Sequence, residues 1–400
     1  MKIAVFSDTF DQINGVAITY KELVKYAEKN NIQLDVFTQG EKDSVETFGT
    51  ARVFRFKPAL PVKFYSELYF DPILPNRKML RKVKNGNYDI IHSSALGSLG
   101  VNALIIAKRL GIPIAAEYNT DVPKYILPRV QKAYKFLPGF MHKIISFPIE
   151  AILKKYIKTY YRKCDLVFTV SEYNKEQLEE LIHKEVAIFS RGVDTTNFNP
   201  SKRKPDCKIQ YRPVLALYVG RISVEKNIQI LINIFKDRDD LRLILVGDGP
   251  YREDMQKRLP SAVFTGPVYD REKLAQIYSS CDFFIFPSET ETFGQVITEA
   301  LSSGLPVVVS DKGASHEQVA HGKDGFIYNN EPELREQINF LTFNEPGRRK
   351  MGEKARASAL RHSWDSVFDR LICQYQMLLS SRNAKRIPIS GIALESNKVA

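Results

Sequence analysis

Residues 283–306 read Phe-Phe-Ile-Phe-Pro-Ser-Glu-Thr-Glu-Thr-Phe-Gly-Gln-Val-Ile-Thr-Glu-Ala-Leu-Ser-Ser-Gly-Leu-Pro, and this stretch decides the fold. Four strand-forming residues lead into a polar loop, after which a helix is predicted to begin near Gly294. The helix is predicted to end at Gly304, because glycine is favoured just past a helix and Pro306 prevents its continuation. The apolar residues that share one face of this helix, and are predicted to pack on a sheet, are Val296, Ile297, Ala300 and Leu301.

Two glutamates flank the start of this predicted helix. Glu291 lies just ahead of the first turn, and Glu299 lies on the flank of the apolar stripe. Eight residues at the helical rise span about 12 Å, a reach that suits two hydroxyl-bearing parts of one ligand. Between the carboxylates lie the first backbone N–H groups, at Phe293, Gly294 and Gln295, which suit a diphosphate. This order of groups matches a nucleotide sugar, although a surface helix with two solvated glutamates has the same pattern.

The composition is that of a globular protein, with 44% hydrophobic and 26% charged residues. A length of 400 residues predicts two domains. No apolar run approaches the roughly 18 residues that span a bilayer, and the N-terminus lacks the apolar core of a secretion signal. The four cysteines are widely spaced and the six histidines are scattered. We therefore expect a reduced cytoplasmic protein with no disulfide framework and no metal site.

The net charge of +12 indicates an anionic partner: nucleic acid, a membrane surface or a phosphorylated small molecule. Residues 124–163 concentrate this charge, with ten lysines and arginines, one acid (Glu150) and many aromatic residues. This composition predicts a helical pair on an anionic membrane surface, contacting lipid through Lys154, Lys155 and Lys158. A helical hairpin buried on one side against its own sheet remains an alternative. Nucleic acid is disfavoured, because no nucleic-acid-binding motif accompanies the bases.

The first half of the chain alternates predicted strands and helices, which indicates a parallel, doubly wound sheet. Its first unit is a strand at 2–7, a loop containing Gly15 and a helix over 16–30. Gly15 is a candidate for close approach of the backbone to a phosphate, with a plain Asn-Gly turn as the alternative. No GxGxxG fingerprint follows the strand, so a nicotinamide dinucleotide is disfavoured. Asn119 and Asp121 end a later strand and are predicted to point into a ligand crevice.

The second half repeats the alternation after a polar, basic linker over about 195–212. Arg221 and Lys226 flank the start of a helix that follows a strand, where two cations suit a diphosphate. Near the end of the chain, residues 364–380 form a predicted amphipathic helix, and residues 381–400 lack periodicity and read as a loose tail.

Taken in order, these motifs resemble the retaining glycosyltransferases of the large GT4 family, which have the two-domain GT-B architecture. The segments that carry the resemblance are Asn14-Gly15-Val16, Arg191-Gly192-Val193-Asp194, Val219-Gly220-Arg221, Val246-Gly247-Asp248-Gly249-Pro250 and the pair Glu291 and Glu299. The phrase Thr290-Glu291-Thr292-Phe293-Gly294-Gln295 looks like the branch of mannosyl-, glucosyl- and sulfoquinovosyl-transferases, which often act on lipid acceptors.

The resemblance implies an α/β protein with two Rossmann-like doubly wound domains that face a central cleft. Residues 1–200 would form the acceptor-binding domain and residues 201–362 the nucleotide-sugar-binding domain. Residues 363–382 would form a helix that packs back on the first domain, followed by a tail over 383–400. We expect a monomer or weak oligomer, peripherally associated with the inner face of the membrane.

The resemblance also implies roles for single residues. Gly15 and the amides after Glu291 would hold the diphosphate of a GDP- or UDP-hexose, while Arg221 and Lys226 neutralise the leaving group. Glu291 would bind hydroxyls of the donor sugar and Glu299 the ribose. The turn from Gly266 to Val268 would border the base. Such enzymes need no bound metal, because cationic side chains and helix dipoles supply the positive charge.

One position departs from the family pattern. Relatives usually carry histidine beside the donor sugar where this chain has Asn119. Asparagine can hydrogen-bond a hydroxyl but cannot carry charge or a proton. Two other functions remain open: a non-hydrolysing sugar-nucleotide epimerase, which turns over donor without acceptor, and a non-catalytic protein that only binds a nucleotide sugar.

Overall fold

The computed structural model describes residues 1–12, 14–58, 62–63, 69–70, 75–119, 123, 139–203 and 213–386. For 62–63, 69–70, 139–146 and 383–386 it describes the backbone alone. The predicted site residue Asp121, residues 204–212 of the predicted linker and residues 387–400 of the predicted tail lie outside these residues.

The first half contains a sheet of eight strands in the order β10-β9-β8-β7-β1-β2-β4-β3, parallel throughout except for the β3–β4 pair. Its strands are β1 (Lys2–Phe6), β2 (Gln33–Gln39), β3 (Ser44–Phe48), β4 (Ala51–Phe56), β7 (Ile90–Ser93), β8 (Ile114–Tyr118), β9 (Leu166–Thr169) and β10 (Ala187–Ile188). A separate antiparallel pair is formed by β5 (Val62–Lys63) and β6 (Tyr69–Phe70). The helices of this half are α1 (Gly15–Lys29), α2 (Arg77–Gly86), α3 (Ser98–Leu110), α4 (Gly139–Arg162) and α5 (Glu172–Ile182).

The second half contains a fully parallel sheet of six strands in the order β13-β12-β11-β14-β15-β16. Its strands are β11 (Val214–Val219), β12 (Leu241–Val246), β13 (Val263–Gly266), β14 (Phe283–Phe286), β15 (Val307–Ser310) and β16 (Gly325–Tyr328). Its helices are α6 (Ile230–Phe235), α7 (Arg252–Arg258), α8 (Arg271–Ser280), α9 (Gln295–Ser302), α10 (Glu331–Phe343) and α11 (Glu345–Leu360). Short 3₁₀ turns occupy Pro200–Lys202, Val224–Lys226 and Ser315–Gln318.

The last helix, α12 (Trp364–Arg386), packs back on the first half. Phe368 and Tyr375 are fully buried in the hydrophobic cluster that also contains residues of β1 and α1. Polar contacts reinforce this packing, because the Tyr26 hydroxyl donates to Asp369 at 2.5 Å. The predicted GT-B architecture, with its crossing C-terminal helix, is confirmed.

Two glycines allow the loops after neighbouring strands of the second sheet to meet. A Cβ atom at Gly247, whose φ is +138°, would lie 2.0 Å from the carbonyl oxygen of Gly220. A Cβ atom at Gly249 would lie 2.2 Å from the carbonyl oxygen of Ile222. Since real side chains cannot occupy such positions, this motif holds the loops after β11 and β12 in backbone contact.

Some elements differ from the sequence prediction. The edge strand β3 was not predicted, because its residues are mostly exposed and polar and lack an apolar face. Tyr160 and Tyr161, predicted to lie at a membrane surface, are 3% and 1% exposed and pack in the core of the first half. The side of α4 that carries them is therefore the buried side.

Candidate active site

The loops at the carboxyl ends of the two sheets contact each other and form the walls of a cleft. The Thr292 hydroxyl donates to the backbone carbonyl of Asn119 at 3.3 Å, and the Asn174 amide donates to the carbonyl of Thr292 at 3.1 Å. The Glu317 carboxylate accepts hydrogen bonds from the first two backbone N–H groups of α5, at 2.8 and 2.6 Å. A carboxylate is stabilised at that position by the helix dipole. The site is thus built from both halves.

Two helix N-termini face each other across this cleft. Helix α1 begins at Gly15 and α9 begins at Gln295, and a Cβ atom at Gly15 would lie 3.2 Å from Gln295 Oε1. Gly294, with φ at +84°, provides no side-chain cap, so the first N–H groups of α9 are not capped by it. The Nε2 atom of Gln295 is buried and has no partner within the described part of the chain. Asn14 caps the Ala17 N–H of α1 at 2.9 Å, so the uncapped turn is that of α9, and the dipoles of both helices suit an anion between them.

Lys226 and Glu291 form an ion pair in the cleft. Lys226 Nζ donates to Glu291 Oε1, and the Ser288 hydroxyl donates to the same oxygen at 3.2 Å. The two side chains are only 23% and 17% exposed, so solvent screens the pair weakly. The backbone N–H of Ala314 also donates to the carbonyl of Glu291, at 3.1 Å. The sequence-predicted cation and carboxylate are therefore brought together.

Arg221 lies on the same loop as Lys226 but points to a different partner. Its side chain is 58% exposed and contacts Glu225 at 3.7 Å, one helical turn along. Its backbone carbonyl accepts a hydrogen bond from the Tyr218 hydroxyl at 2.8 Å, which fixes the loop. A partly exposed arginine in a weak contact is free to turn toward an anionic ligand.

Glu299, predicted on the flank of the apolar stripe of α9, is buried, which excludes the alternative of a solvated glutamate at this position. It is 6% exposed, accepts a hydrogen bond from the Tyr278 hydroxyl at 3.2 Å and lies 3.6 Å from the guanidinium of Arg271. Burial raises its pKa to about 7, although the Arg271 charge and the Tyr278 hydroxyl act in the opposite direction. The prediction missed this because α8, which supplies both partners, is remote in sequence from the start of α9.

The remaining predicted site residues, Gly266, Val268 and Phe293, lie at or after the carboxyl ends of strands of the second sheet. Gly266 ends β13 with φ at +76°, and its carbonyl accepts from the Gly247 N–H at 3.0 Å. Val268, two residues on, is half-buried against the core of the second half. The backbone carbonyl of Phe293 accepts a hydrogen bond from the Gln318 side chain.

Asn119 lies in the cleft, where its side chain is bonded to Arg191, a residue to which the sequence analysis gave no role. Its Oδ1 atom accepts a hydrogen bond from Arg191, whose guanidinium also contacts Glu117 at 2.6 Å. Burial acts to raise the pKa of Glu117, but the Arg191 charge and the hydrogen bonds from His92 and Tyr20 outweigh it and hold the pKa at about 2. The sequence did contain a sign of the ion pair between Glu117 and Arg191, because a glutamate inside an apolar strand needs a buried partner.

The described part of α4 has one exposed face of mixed character. Phe147 and Ile152 are 76% and 67% exposed, and Lys154 and Lys155 are exposed beside them. Lys158 is half-buried, and Lys154 pairs with Glu150 at 2.7 Å.

Among the described helices, none has the length and apolarity needed to cross a bilayer. The residues described also contain no cluster of three His, Cys, Asp or Glu side chains arranged to hold a metal ion.

Both halves of the chain match glycosyltransferase family models. The family model described as Glycosyltransferase Family 4 matches residues 13–197, and the model described as Glycosyl transferases group 1 matches residues 202–358. A sulfoquinovosyl transferase of Arabidopsis thaliana is 30% identical over 408 residues, covering 98% of this chain and 76% of its own. A GDP-mannose-dependent alpha-mannosyltransferase of Mycobacterium tuberculosis is 28% identical over 96% of this chain and 99% of its own.

One further relative and one solved structure are also similar to this chain. An alpha-monoglucosyldiacylglycerol synthase of Streptococcus pneumoniae is 27% identical over 84% of this chain and 76% of its own. The solved structure of a sucrose-phosphate synthase from Thermosynechococcus elongatus superposes with a TM-score of 0.72 at 19% identity, covering 95% of this chain and 100% of that one. The structural likeness bears on the fold alone.

The raised pKa of Glu299 predicts a pH-dependent stability. Between its ordinary pKa of 4.5 and the folded value of about 7, the folded protein holds a proton that the unfolded chain releases. This contribution is therefore fully present below pH 4.5 and is lost as the pH rises through 7, by roughly 3 kcal/mol. Denaturant unfolding at pH 5 and pH 8 should show this loss in the wild type and a smaller one in Glu299→Gln. The exposed-site control Glu353→Gln should keep the wild-type difference.

Proposed function

The chain belongs to glycosyltransferase family 4, and from that premise we propose that it moves a hexosyl group from a nucleoside diphosphate sugar to a lipid or lipid-linked glycan acceptor, with retention of configuration. Mannose and glucose are the leading donor sugars, since relatives that span most of the chain are named for mannosyl and glucosyl transfer. GDP and UDP are the corresponding candidates for the nucleotide.

The observation that carries this proposal is the position of the Lys226–Glu291 pair beside two facing helix N-termini. We assign the diphosphate to the space between Gly15 and the first turn of α9, where open N–H groups meet it. Glu291 accepts hydrogen bonds from hydroxyls of the donor sugar, and Glu299 accepts one from the ribose. Gly266 and Val268 border the base at the edge of the second sheet.

In the proposed reaction the bond between the anomeric carbon and the phosphate oxygen breaks, and its electron pair leaves with the diphosphate. Lys226 stabilises that developing charge, and Arg221 turns from its exposed contact with Glu225 to do the same. The acceptor hydroxyl attacks from the face that the diphosphate leaves, and its proton passes to the departing phosphate oxygen. The configuration at the anomeric carbon is thereby retained without a protein nucleophile.

The Lys226–Glu291 pair gives the first test. Lys226→Ala and Glu291→Ala should each lower kcat at least about a hundredfold, because each removes a charged group from the reacting centre. The assay supplies radiolabelled UDP-glucose or GDP-mannose with vesicles containing diacylglycerol and counts label in the lipid phase. Lys202→Ala, which breaks an exposed lysine–glutamate pair of 3.1 Å outside the cleft, is the matched control and should keep the wild-type rate.

The same assay separates the proposal from its rivals. An altered sugar on the nucleotide, formed without any acceptor, would identify an epimerase. Donor that is bound but never consumed would identify a binding protein. Full activity in both alanine variants would remove the proposed site.

We further propose that transfer needs no metal ion, because lysine, arginine and two helix N-termini supply the positive charge. Excess EDTA should therefore leave the rate unchanged, measured under the same conditions with and without added magnesium. A rate that falls with EDTA and returns with magnesium would contradict this part of the proposal. Magnesium could then act on the diphosphate as it does in other phosphate-handling enzymes.

A membrane surface is the proposed location of the acceptor, and the exposed face of α4 is the proposed contact. Phe147 and Ile152 can enter the headgroup region while the neighbouring lysines attract anionic lipid. We therefore propose that the protein associates peripherally with the inner face of the membrane.

Neutralising this face should weaken membrane binding. Lys154→Gln, Lys155→Gln and Lys158→Gln together should reduce cosedimentation with phosphatidylglycerol vesicles, with the largest difference at low salt, because exposed charges are screened. The control neutralises three basic residues of α11, namely Arg349, Lys350 and Lys354, and should bind like the wild type. Equal loss in both triple variants would indicate an effect of net charge alone, and no loss in the α4 variant would remove this face as the contact.

A further inference from the structure

Arg191 determines which way the side chain of Asn119 points. The guanidinium of Arg191 donates to Asn119 Oδ1. Arginine has five N–H donors and no acceptor, so the atom of Asn119 that faces it must be the amide oxygen. The amide nitrogen of Asn119 is therefore directed away from Arg191.

Asn119 lies beside the loop between β14 and α9, residues 287–294, which we call the donor loop. The one contact of its amide nitrogen with the described residues is a long approach of 3.5 Å to the carbonyl of Ser94. The backbone of Asn119 meets the donor loop directly, through the Thr292 hydroxyl at 3.3 Å. Thr292 immediately follows Glu291, so Asn119 stands opposite the group assigned above to the sugar hydroxyls. The amide nitrogen carries two N–H groups, and among the described residues its one hydrogen bond is the long one to Ser94.

Arg191 itself is held by a buried network. Its side chain is 6% exposed and that of Glu117 is fully buried, and their contact measures 2.6 Å. The Tyr20 hydroxyl donates to the other oxygen of Glu117 at 2.5 Å. His92 contacts Tyr20 at 2.6 Å through one ring nitrogen and a second tyrosine at 2.6 Å through the other. With this many fixed partners, the guanidinium cannot turn without breaking a buried ion pair.

The donor and acceptor roles in this network form one consistent series. The Glu117 carboxylate only accepts, so Tyr20 donates to it and the Tyr20 oxygen accepts from His92 Nε2. The other ring nitrogen, Nδ1, contacts the Tyr375 hydroxyl on α12 at 2.6 Å. The buried charges of Glu117 and Arg191 are opposite and lie in contact with each other.

We propose that Arg191 is a positioning residue, which with Glu117 locks Asn119 so that its amide N–H groups are presented to a hydroxyl oxygen of the donor sugar. The lock makes Asn119 a hydrogen-bond donor toward a ligand, because its oxygen is held by Arg191. This inference rests on the proposed function and adds the group that orients its sugar contact.

The test compares binding of a nucleotide sugar with binding of its nucleoside diphosphate, measured by calorimetry with UDP-glucose and UDP, and with GDP-mannose and GDP. Asn119→Asp keeps an oxygen for Arg191 but has no N–H, so its affinity for the nucleotide sugar should fall about tenfold, as for one lost hydrogen bond, while its affinity for the diphosphate stays at the wild-type value. Wild-type affinity of Asn119→Asp for the nucleotide sugar would overturn the proposal.

The second variant removes the lock and avoids a lone buried charge. Glu117→Gln combined with Arg191→Gln replaces the ion pair by two neutral amides, and it should lose the same sugar-specific affinity as Asn119→Asp. Adding Asn119→Ala to this double variant should cost no more than Asn119→Ala alone, because Arg191 acts through Asn119. Losses that multiply, or an equal loss for diphosphate and nucleotide sugar, would show a general structural effect and overturn the proposal.

The two proposals fail in different ways. If the wild type binds none of the four ligands, the proposed function fails, and the positioning role falls with it. If the wild type binds the nucleotide sugar, and the variants either keep its affinity or lose affinity for it and for the diphosphate equally, the positioning role alone fails.

Discussion

Parallel strand pairing is the constraint on which the whole cleft depends. In a parallel sheet every strand ends at the same edge, so every loop that follows a strand, and every helix N-terminus after it, is delivered to that edge. The two sheets of this chain present those edges to each other. Gly15 after β1 and Gln295 after β14 therefore meet across the cleft although 280 residues separate them in the sequence.

The cations of the cleft are paired with carboxylates, and this pairing shapes how an anion is received. Lys226 is bonded to Glu291, and Arg221 contacts Glu225. Unpaired cations in a half-buried loop repel one another and lose hydration, so the partner carboxylates stabilise the loop. A diphosphate can share Lys226 with Glu291, because an ammonium has three donors. The carboxylate then remains free to accept sugar hydroxyls on its other oxygen.

Local sequence patterns predicted the parts of the site whose structure is determined by residues close together in the sequence. The strand, loop and helix around Glu291 follow from strand-forming residues, Gly294 and an apolar face, all within one short window. The burial of Glu299 could not be predicted in this way, because Tyr278 and Arg271 come from another helix. The contact of Arg191 with Asn119 needs the adjacency of β8, β9 and β10, which composition and periodicity do not supply.

The same distinction explains why the sequence left two orientations of α4 open. Aromatic and basic residues alternate around this helix, and the sequence does not reveal which side meets the sheet. Tyr160 and Tyr161 point inward, and their hydroxyls bond backbone carbonyls of the first half, whereas Phe147 and Ile152 point outward. Tyrosine suits both environments, because its ring is apolar and its hydroxyl needs a partner in either place.

The buried network gives the C-terminal helix a part in the cleft that its sequence does not suggest. Tyr375 lies on α12, yet its hydroxyl is the first group in the series that ends at Glu117, Arg191 and Asn119. The segment that carries Arg191 also pairs with the start of α12, since the Val193 N–H donates to the carbonyl of His362. The chain leaves the first half soon after Arg191 and returns to it just before α12. These two segments are therefore hydrogen-bonded to each other close to Arg191, which orients Asn119. The contacts that orient Asn119 therefore adjoin the contacts that hold α12 against the segment carrying Arg191.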